Sequence, residues 1–424
     1  MRLALGTLFF LLLSSIPVLS QTPCAPTGTG VCRYVSGTGS DNNDGLSRAT
    51  PKKTIATTVN GSNPGDEIIV LAGTYNCANQ PGVTSCTGGE NSGSKLVNVT
   101  ASGTAANPIV IVCDAYLACK IDGASNSTAT GFEMTGSYIT VRNFEIEGFS
   151  DNGWENFDGG TNVVANRNWI HDIGRYCTTT AIGRDGLFVD RSNVTITQNI
   201  IGDIGRYDVG ENGCTATLYN HDHGIYMSGP ANPSNIFVAN NIFYRCERGW
   251  SIQIYEGTWN NISILNNTML YSDTRSGASG GQIVVASSVS NLLIENNISY
   301  QPNKWLVNTM SGSVTGTIAN NIIYGTSSVT SGPPSGFSLT ITGNVVNTDP
   351  KLVSVGSSVT DNPSVPDARL ILGSPAIKAG LTLAAVPDDF AGTPRIPGAY
   401  DIGSYAFTAV STVAPPTNLR VVVH

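Results

Sequence analysis

The chain is organised by a recurring seven-residue segment that ends in asparagine. Asn193-Val-Thr-Ile-Thr-Gln-Asn199, Asn235-Ile-Phe-Val-Ala-Asn-Asn241, Asn261-Ile-Ser-Ile-Leu-Asn-Asn267 and Asn291-Leu-Leu-Ile-Glu-Asn-Asn297 share one pattern, and weaker copies end at Asn143, Asn168, Asn321 and Asn344. With the last asparagine as marker, the steps from 143 are 25, 31, 42, 26, 30, 24 and 23 residues, about one solenoid coil each. Between Gly and Asn turns lie short stretches that alternate apolar and polar, the signature of half-buried strands. Such a unit cannot bury its apolar face alone. It must stack, with equivalent strands of successive coils ~4.8 Å apart. An asparagine at the same turn of every coil then forms a ladder, because a buried amide without partners costs about 1–3 kcal/mol. The repeated asparagines therefore read as scaffold, which also weighs against glycosylation at Asn193, Asn261, Asn266 and Asn297.

Composition agrees with strands and turns. Charged residues make up only 12% of the chain and glycines number 47, too few charges for the surfaces of helical bundles. The net charge of −8 leaves no basic field for nucleic acid. Arg2, the apolar run 3–13 and Val18-Leu19-Ser20 read as a secretory signal peptide over residues 1–20, too short to span a membrane. The expected mature protein is exported (extracellular or periplasmic), soluble and monomeric, with one domain over 21–407 and a proline-containing tail over 408–424. Cysteine usage fits export: Cys24 with Cys32, Cys77 with Cys86, and Cys113 with Cys119 read as local staples. Cys177 and Cys214 follow matching Asp-Ile-Gly-Arg-Tyr segments and can bridge adjacent loops. Cys246 is left over, either as a nucleophile or, in keeping with its place in a repeat, as a small buried residue.

The two ends of the chain carry a resemblance. Tyr34-Val-Ser-Gly-Thr-Gly-Ser-Asp41, Asp44-Gly45, Lys53-Thr-Ile55 and Pro64-Gly-Asp-Glu-Ile-Ile-Val-Leu-Ala-Gly-Thr-Tyr75 are similar to the N-terminal cap and first coil of right-handed parallel β-helix proteins of the pectate-lyase-like superfamily. Asp349-Pro350, Leu370-Ile-Leu-Gly-Ser-Pro-Ala-Ile377, Ala379-Gly380 and Tyr400-Asp-Ile-Gly-Ser-Tyr405 resemble the closing coils of secreted members. The resemblance covers roughly 33–407. It implies an all-β, right-handed parallel β-helix with a cap at about 33–75, in which 53–59 form a short helix over the first coil. It also implies a polysaccharide as partner. The superfamily holds lyases, epimerases, glycoside hydrolases and adhesins, so the chemistry has to come from the site.

The candidate site surrounds Asn220-His221-Asp222-His223-Gly224-Ile225-Tyr226-Met227-Ser228, which holds two of the four histidines. Three segments beginning at Arg184, Asp222 and Glu247 share one apolar-in form. Aligned as neighbouring coils, they put Asp185, His223 and Arg248 in one column, Arg184, Asp222 and Glu247 in another, and Phe188, Tyr226 and Ser251 in a third. The long loops 176–183 and 207–220 feed this face, and loops on a rigid scaffold build binding grooves. The leading expectation is β-elimination on a uronate polysaccharide. His223 or His221 would be the base, Tyr226 the acid and Arg248 or Arg184 the cation on the substrate carboxylate, with Asp222 or Asp185 orienting a histidine. Arg184, Glu247, Tyr255 and Trp259 are the expected substrate contacts, with Trp154 and Tyr271 as further sugar-stacking candidates. Hydrolysis by Asp222 and Glu247 as paired carboxylates is the rival, and a binding-only β-helix the third reading.

Metal readings are thinner. His221, Asp222 and His223 alternate on one strand and do not complete a zinc shell, so no metal ligands are assigned. Related lyases bridge substrate and protein with Ca2+, for which Asp185, Asp190 and Asp222 offer oxygens. Asp41-Asn-Asn-Asp-Gly45 lacks calcium-loop spacing and reads as a turn. His171, beside Asp172, faces Gly202 in the next coil; it either supports the site or makes a loop hydrogen bond.

Overall fold

The computed structural model describes residues 21–80, 86–157, 159–229, 232–246, 249–272, 279–356 and 365–408. The expected leader, the tail from 409 on, and the candidates Glu247 and Arg248 lie outside the described residues.

Short alternating stretches become parallel strands because each buries one side and leaves its backbone groups to the coils above and below. Three faces result. The first runs through Lys95–Val99, Thr130–Met134, Asn152–Glu155, Arg184–Val189 and Asp222–Ser228 into the start of Ile252–Leu265. A second includes Val163–Asn166, Val194–Thr197 and Ser234–Ala239. The strands Ile252–Leu265 and Ile283–Glu295 turn the corner from the first face to the second. The third includes Phe144–Glu147, Trp169–Ile173, Ile200–Ile204 and Ile242–Cys246. All these pairings are parallel and successive coils are joined by crossovers, which are right-handed almost without exception. The result is the expected right-handed parallel β-helix.

Its core is a set of aliphatic columns. Val163, Val194, Ile236, Ile262 and Leu292 stand beside one another on consecutive coils. Each is at most 1% exposed. Full burial of one such side chain stabilises by about 1.5–3 kcal/mol.

The predicted asparagine ladder is present. Nδ2 of Asn168, Asn199, Asn241, Asn267, Asn297 and Asn321 donates to Oδ1 of the next coil's asparagine, the series ending at Asn344, over 2.8–3.2 Å. Asn241 shows the whole pattern. Its Oδ1 accepts from the Asn199 backbone N–H at 2.9 Å and from the Asn199 amide at 3.0 Å, while its Nδ2 donates to the Ile196 carbonyl at 2.8 Å. One correction concerns the start. The register Trp169↔Glu145 places Asn168 beside Phe144, not Asn143. Asn143 has φ 69° and occupies the preceding left-handed turn, a position that Asn tolerates.

That preceding column has a separate task. Gln198, Asn240, Asn266, Asn296 and Asn320 all have positive φ, and their amides donate to the carbonyls of Asp389, Asp388, Asp401, Leu381 and Ala379 at 2.7–3.2 Å. The closing segment is thereby strapped along the stack. A third, outer ladder links Asn193, Asn235, Asn261 and Asn291 at 2.7–3.0 Å.

The cap helix spans Ile55–Asn60, with Ile55 and Val59 fully buried. Asp41 accepts the backbone N–H groups of Lys53 and Thr54 at 3.0 and 2.9 Å, so the Asp41–Gly45 stretch is a turn that holds the helix start. Disulfides join Cys24 to Cys32, Cys77 to Cys86, Cys113 to Cys119 and Cys177 to Cys214, the four expected pairs. Cys246 lies outside these pairs and is buried. Among the described residues no helix is long and apolar enough to cross a membrane.

The ladder can be tested directly. Asn267→Ala removes the acceptor of the buried Asn241 backbone N–H and the side-chain donor to the Val238 carbonyl, and is expected to cost about 2–4 kcal/mol in urea unfolding. Asn291→Ala, at the outer ladder, is expected to stay within about 0.5 kcal/mol of wild type. Equal effects would show that the inner ladder carries no special share of stability.

Candidate functional site

The strand Asp222–Ser228 is set by its neighbours. Ile225 and Met227 point into the core with no exposure, which turns Tyr226 outward. On one side the expected register holds: Arg184↔Asp222, Asp185↔His223 and Phe188↔Tyr226. On the other it is two residues away from expectation, with Ile225↔Ile252 and Tyr226↔Gln253. Ser251 therefore does not stand beside Tyr226, and the strand pairing carries Trp250 alongside His223. An even slip keeps every side chain on its face, so alternation alone cannot detect it.

A cleft of about 480 Å³ opens over this face, lined by His221, His223, Tyr226, Trp250, Gln253 and Tyr255, with Tyr219, Asn220 and Met310 among its walls. Its described lining holds no lysine or arginine. His223 is 2% exposed, and its ring stacks on Trp250 at 5.4 Å and 10° and lies 5.0 Å from the Tyr226 ring. Gly249 lets it fit, since a Cβ there would stand 2.4 Å from Nδ1. Desolvation drives the imidazole pKa down to about 3, with His221 and the Arg206 cation adding to the effect and a Gln253 hydrogen bond opposing it. His223 is thus neutral at ordinary pH. Burial, with Arg206, also holds half-buried His221 below its usual value.

Tyr226 moves the other way. Burial raises its pKa to about 12, so the phenol keeps its proton. Its ring meets Phe188 edge-on at 5.5 Å and stacks on Tyr255 at 6.3 Å. Asp185 is 2% exposed, and burial followed by the charge of Asp222 pushes its carboxyl well above the usual range. It accepts the backbone N–H of His223, and its Oδ1 has no hydrogen-bond partner.

Other candidates lie elsewhere than expected. Arg184 is fully buried and paired with Glu90 and with Asp151 at 3.1 Å, out of reach of a ligand in the cleft. Asp222, also fully buried, accepts from Arg206 Nε and Nη2 at 2.9 and 2.7 Å and from the backbone N–H groups of Arg184 and Arg206. Its carboxylate is therefore committed to Arg206 and not to either histidine. Trp259 is a core residue with no exposure, its Nε1 donating to the Glu256 carbonyl at 2.7 Å, and Trp154 is equally buried. Tyr271 packs in a separate cluster with Tyr300. Tyr255, 41% exposed, is the sugar-stacking candidate that does reach the cleft. His171 is on the third face and bonds to Asp172. Among the described residues Asp185, Asp190 and Asp222 do not converge as a ligand cluster, so they do not fit a calcium ion.

Arg206 was missed, although its signal is the second Asp-Ile-Gly-Arg-Tyr copy. It donates to the carbonyls of Thr180 and Ile182 at 2.6 and 2.8 Å as well as to Asp222, tying loop 176–183 to the central strand. In the first copy Arg175 does the same for the next loop, bonding the Gly205 carbonyl at 2.9 Å and Glu211 at 2.8 Å. Tyr219, Trp250 and Gln253 were missed because only the corrected register and the loop path bring them to His223.

Residues 33–209 match the family described as Pel9A-like, right handed beta helix region. Among solved structures, pectate lyase Pel9A is 17% identical, aligned over 90% of this chain and 98% of its own, with a TM-score of 0.49. Alginate lyase from Paenibacillus sp. str. FPU-7 is 16% identical over 69% of this chain and 92% of its own, with a TM-score of 0.44. A rhamnogalacturonan lyase is 16% identical over 70% and 68%, at 0.40. No curated protein sequence matches the chain. With its three parallel faces, the chain is a right-handed parallel β-helix protein whose residues 33–209 are similar to the Pel9A-like region.

Proposed function

We propose that the cleft belongs to a carbohydrate-active enzyme that cleaves a uronate-containing polysaccharide by β-elimination, with His223 as base and Tyr226 as acid. One observation carries this reading. Two adjacent groups have pKa values pushed in opposite directions, and each is left in the state that elimination requires. A neutral imidazole accepts the proton beside the uronate carboxylate, and a protonated phenol supplies one to the leaving glycosidic oxygen. Their rings are 5.0 Å apart, close enough to serve one sugar bond.

The low basicity of the resting His223 comes mainly from desolvation, so an anionic substrate beside it raises its proton affinity as it binds. The enzyme needs positive charge on the substrate carboxylate. Since Arg184 and Arg206 are held in buried ion pairs, Arg248 is the remaining arginine candidate for that role. Tyr255, 41% exposed, supplies an aromatic face for a sugar ring, while the buried Trp250 packs against His223. The full burial of Asp222 against Arg206 favours elimination over hydrolysis by Asp222 and Glu247, of which Glu247 lies outside the described residues.

Wild type acting on polygalacturonate or alginate is expected to release unsaturated ends. His223→Ala and Tyr226→Phe should each lower kcat about 10²–10⁴-fold with the fold retained by circular dichroism. Full activity in both variants, or reducing ends without unsaturation, would refute the assignment. The pH profile adds a second check. The base works while neutral, so the acid limb of kcat/KM assigned to His223 should fall near pH 3 to 4, and no loss is expected as pH rises through 6.5. A limb centred on 6–7 that vanishes in the His223 variant would contradict the burial argument.

A further inference from the structure

The third face carries a polar cluster that the cleft does not use. Strand Trp169–Ile173 pairs with Phe144–Glu147 so that Trp169 stands beside Glu145 and His171 beside Glu147. Ile146 and Ile170, between them in sequence, are in the core, which turns these four side chains outward. Asp172, at φ 53°, brings its carboxylate back to His171, with Oδ2 at 2.6 Å from Nδ1. A carboxylate on one ring nitrogen orients the imidazole. Burial lowers its pKa, but the Asp172 hydrogen bond and the Glu145 carboxylate outweigh it and hold the pKa at about 9, so the other nitrogen, Nε2, carries a proton that a cation has to displace.

That other nitrogen is aimed at oxygen. His171 is 5% exposed, and its Nε2 makes no hydrogen bond of good geometry. It faces Glu145 Oε1 at 3.4 Å and Glu147 Oε2 at 3.5 Å. All three donor atoms lie within 4.8 Å of one another. For bonds of ~2.1 Å, the edge of a tetrahedral coordination shell is about 3.4 Å, the separation seen between Nε2 and each oxygen. Lys120 Nζ bridges the outer side of the pair, 3.1 Å from Glu145 Oε1 and 2.8 Å from Glu147 Oε1. It leaves Glu147 Oε2 to the imidazole. Trp169 stacks on the imidazole at 3.9 Å and is itself held by the Tyr244 hydroxyl at 3.0 Å, which fixes the ring.

We infer that His171, Glu145 and Glu147 form a binding site for one divalent transition cation, with Asp172 orienting the imidazole. One imidazole nitrogen with two carboxylates suits zinc or manganese better than calcium. Lys120 competes for the same carboxylates from the solvent side, so it limits the affinity. The site stands on a different face from the cleft and is independent of the proposed elimination.

Calorimetric titration of the chelator-treated full-length chain with zinc sulfate and manganese chloride tests this. Wild type is expected to take up one equivalent of zinc with a Kd of about 10 μM or below. His171→Gln and Glu147→Gln should each weaken uptake at least about tenfold, and Asp172→Asn by about 10–100-fold. Lys120→Met should tighten it. His221→Ala/His223→Ala should leave it unchanged, separating this cluster from the cleft histidines. Each variant is first matched to wild type in zinc-free thermal unfolding, and zinc should then raise the midpoint of wild type but not of His171→Gln. The inference is overturned by wild type that takes up neither metal saturably. It is equally overturned by uptake that survives both His171→Gln and Glu147→Gln, or that disappears with the cleft histidines.

Discussion

The fold depends on a side-chain amide that can bond up and down the stack at once. Asn has two donors and one oxygen with two lone pairs, and a ladder position in a parallel solenoid presents a backbone N–H, a backbone carbonyl and another amide in reach. From Asn199 to Asn297 every such demand is met inside the protein at zero exposure. Because each amide is bonded to its neighbours, the turns of successive coils are held in register together, and the strands leaving those turns inherit it. The adjoining left-handed position binds the closing segment instead, so two consecutive residues serve two unrelated needs.

Rigid stacking is what gives the cleft its chemistry. A histidine on a mobile loop would keep its water and titrate normally. His223 is wedged between Trp250, Tyr226 and the bare Gly249 backbone, so its charged form is excluded by desolvation. Beneath it, Arg206 and Asp222 neutralise each other with no exposure and anchor loop 176–183 to the strand that bears both histidines. Breaking such a pair strands a buried charge, typically at 3–5 kcal/mol, which makes the pair a structural partner of the site and not a reagent in it.

The fold was legible in the sequence wherever a rule repeats. Period-two alternation and coil-length spacing disclosed the stack and the ladder, with Asn143 taken for its neighbour Phe144, while closeness in sequence and the matching Asp-Ile-Gly-Arg-Tyr segments disclosed the four disulfide pairs. The site was legible in part. The pairing of Asp185 with His223 and of Phe188 with Tyr226 followed from matching strands, but the next coil was misplaced by two residues because Gly-Trp and Gly-Ile offered similar apolar-in patterns. Burial was the harder quantity. Arg184, Asp222 and Trp259 look like ligand-facing groups as letters, yet Glu90, Asp151 and Arg206, distant in sequence, draw the first two inside, and a strand that turns a corner buries the third.

The central claim is that the stack holds His223 as a desolvated, neutral base beside a protonated Tyr226. The most direct measurement is an NMR titration of the imidazole nitrogens, made tractable by only four histidines in the chain and a His223→Gln variant for assignment. The account predicts a His223 imidazole that stays neutral from pH 8 down to about 4 and titrates near 3. A His223 resonance that titrates near 6.5, as a solvated imidazole does, would contradict it.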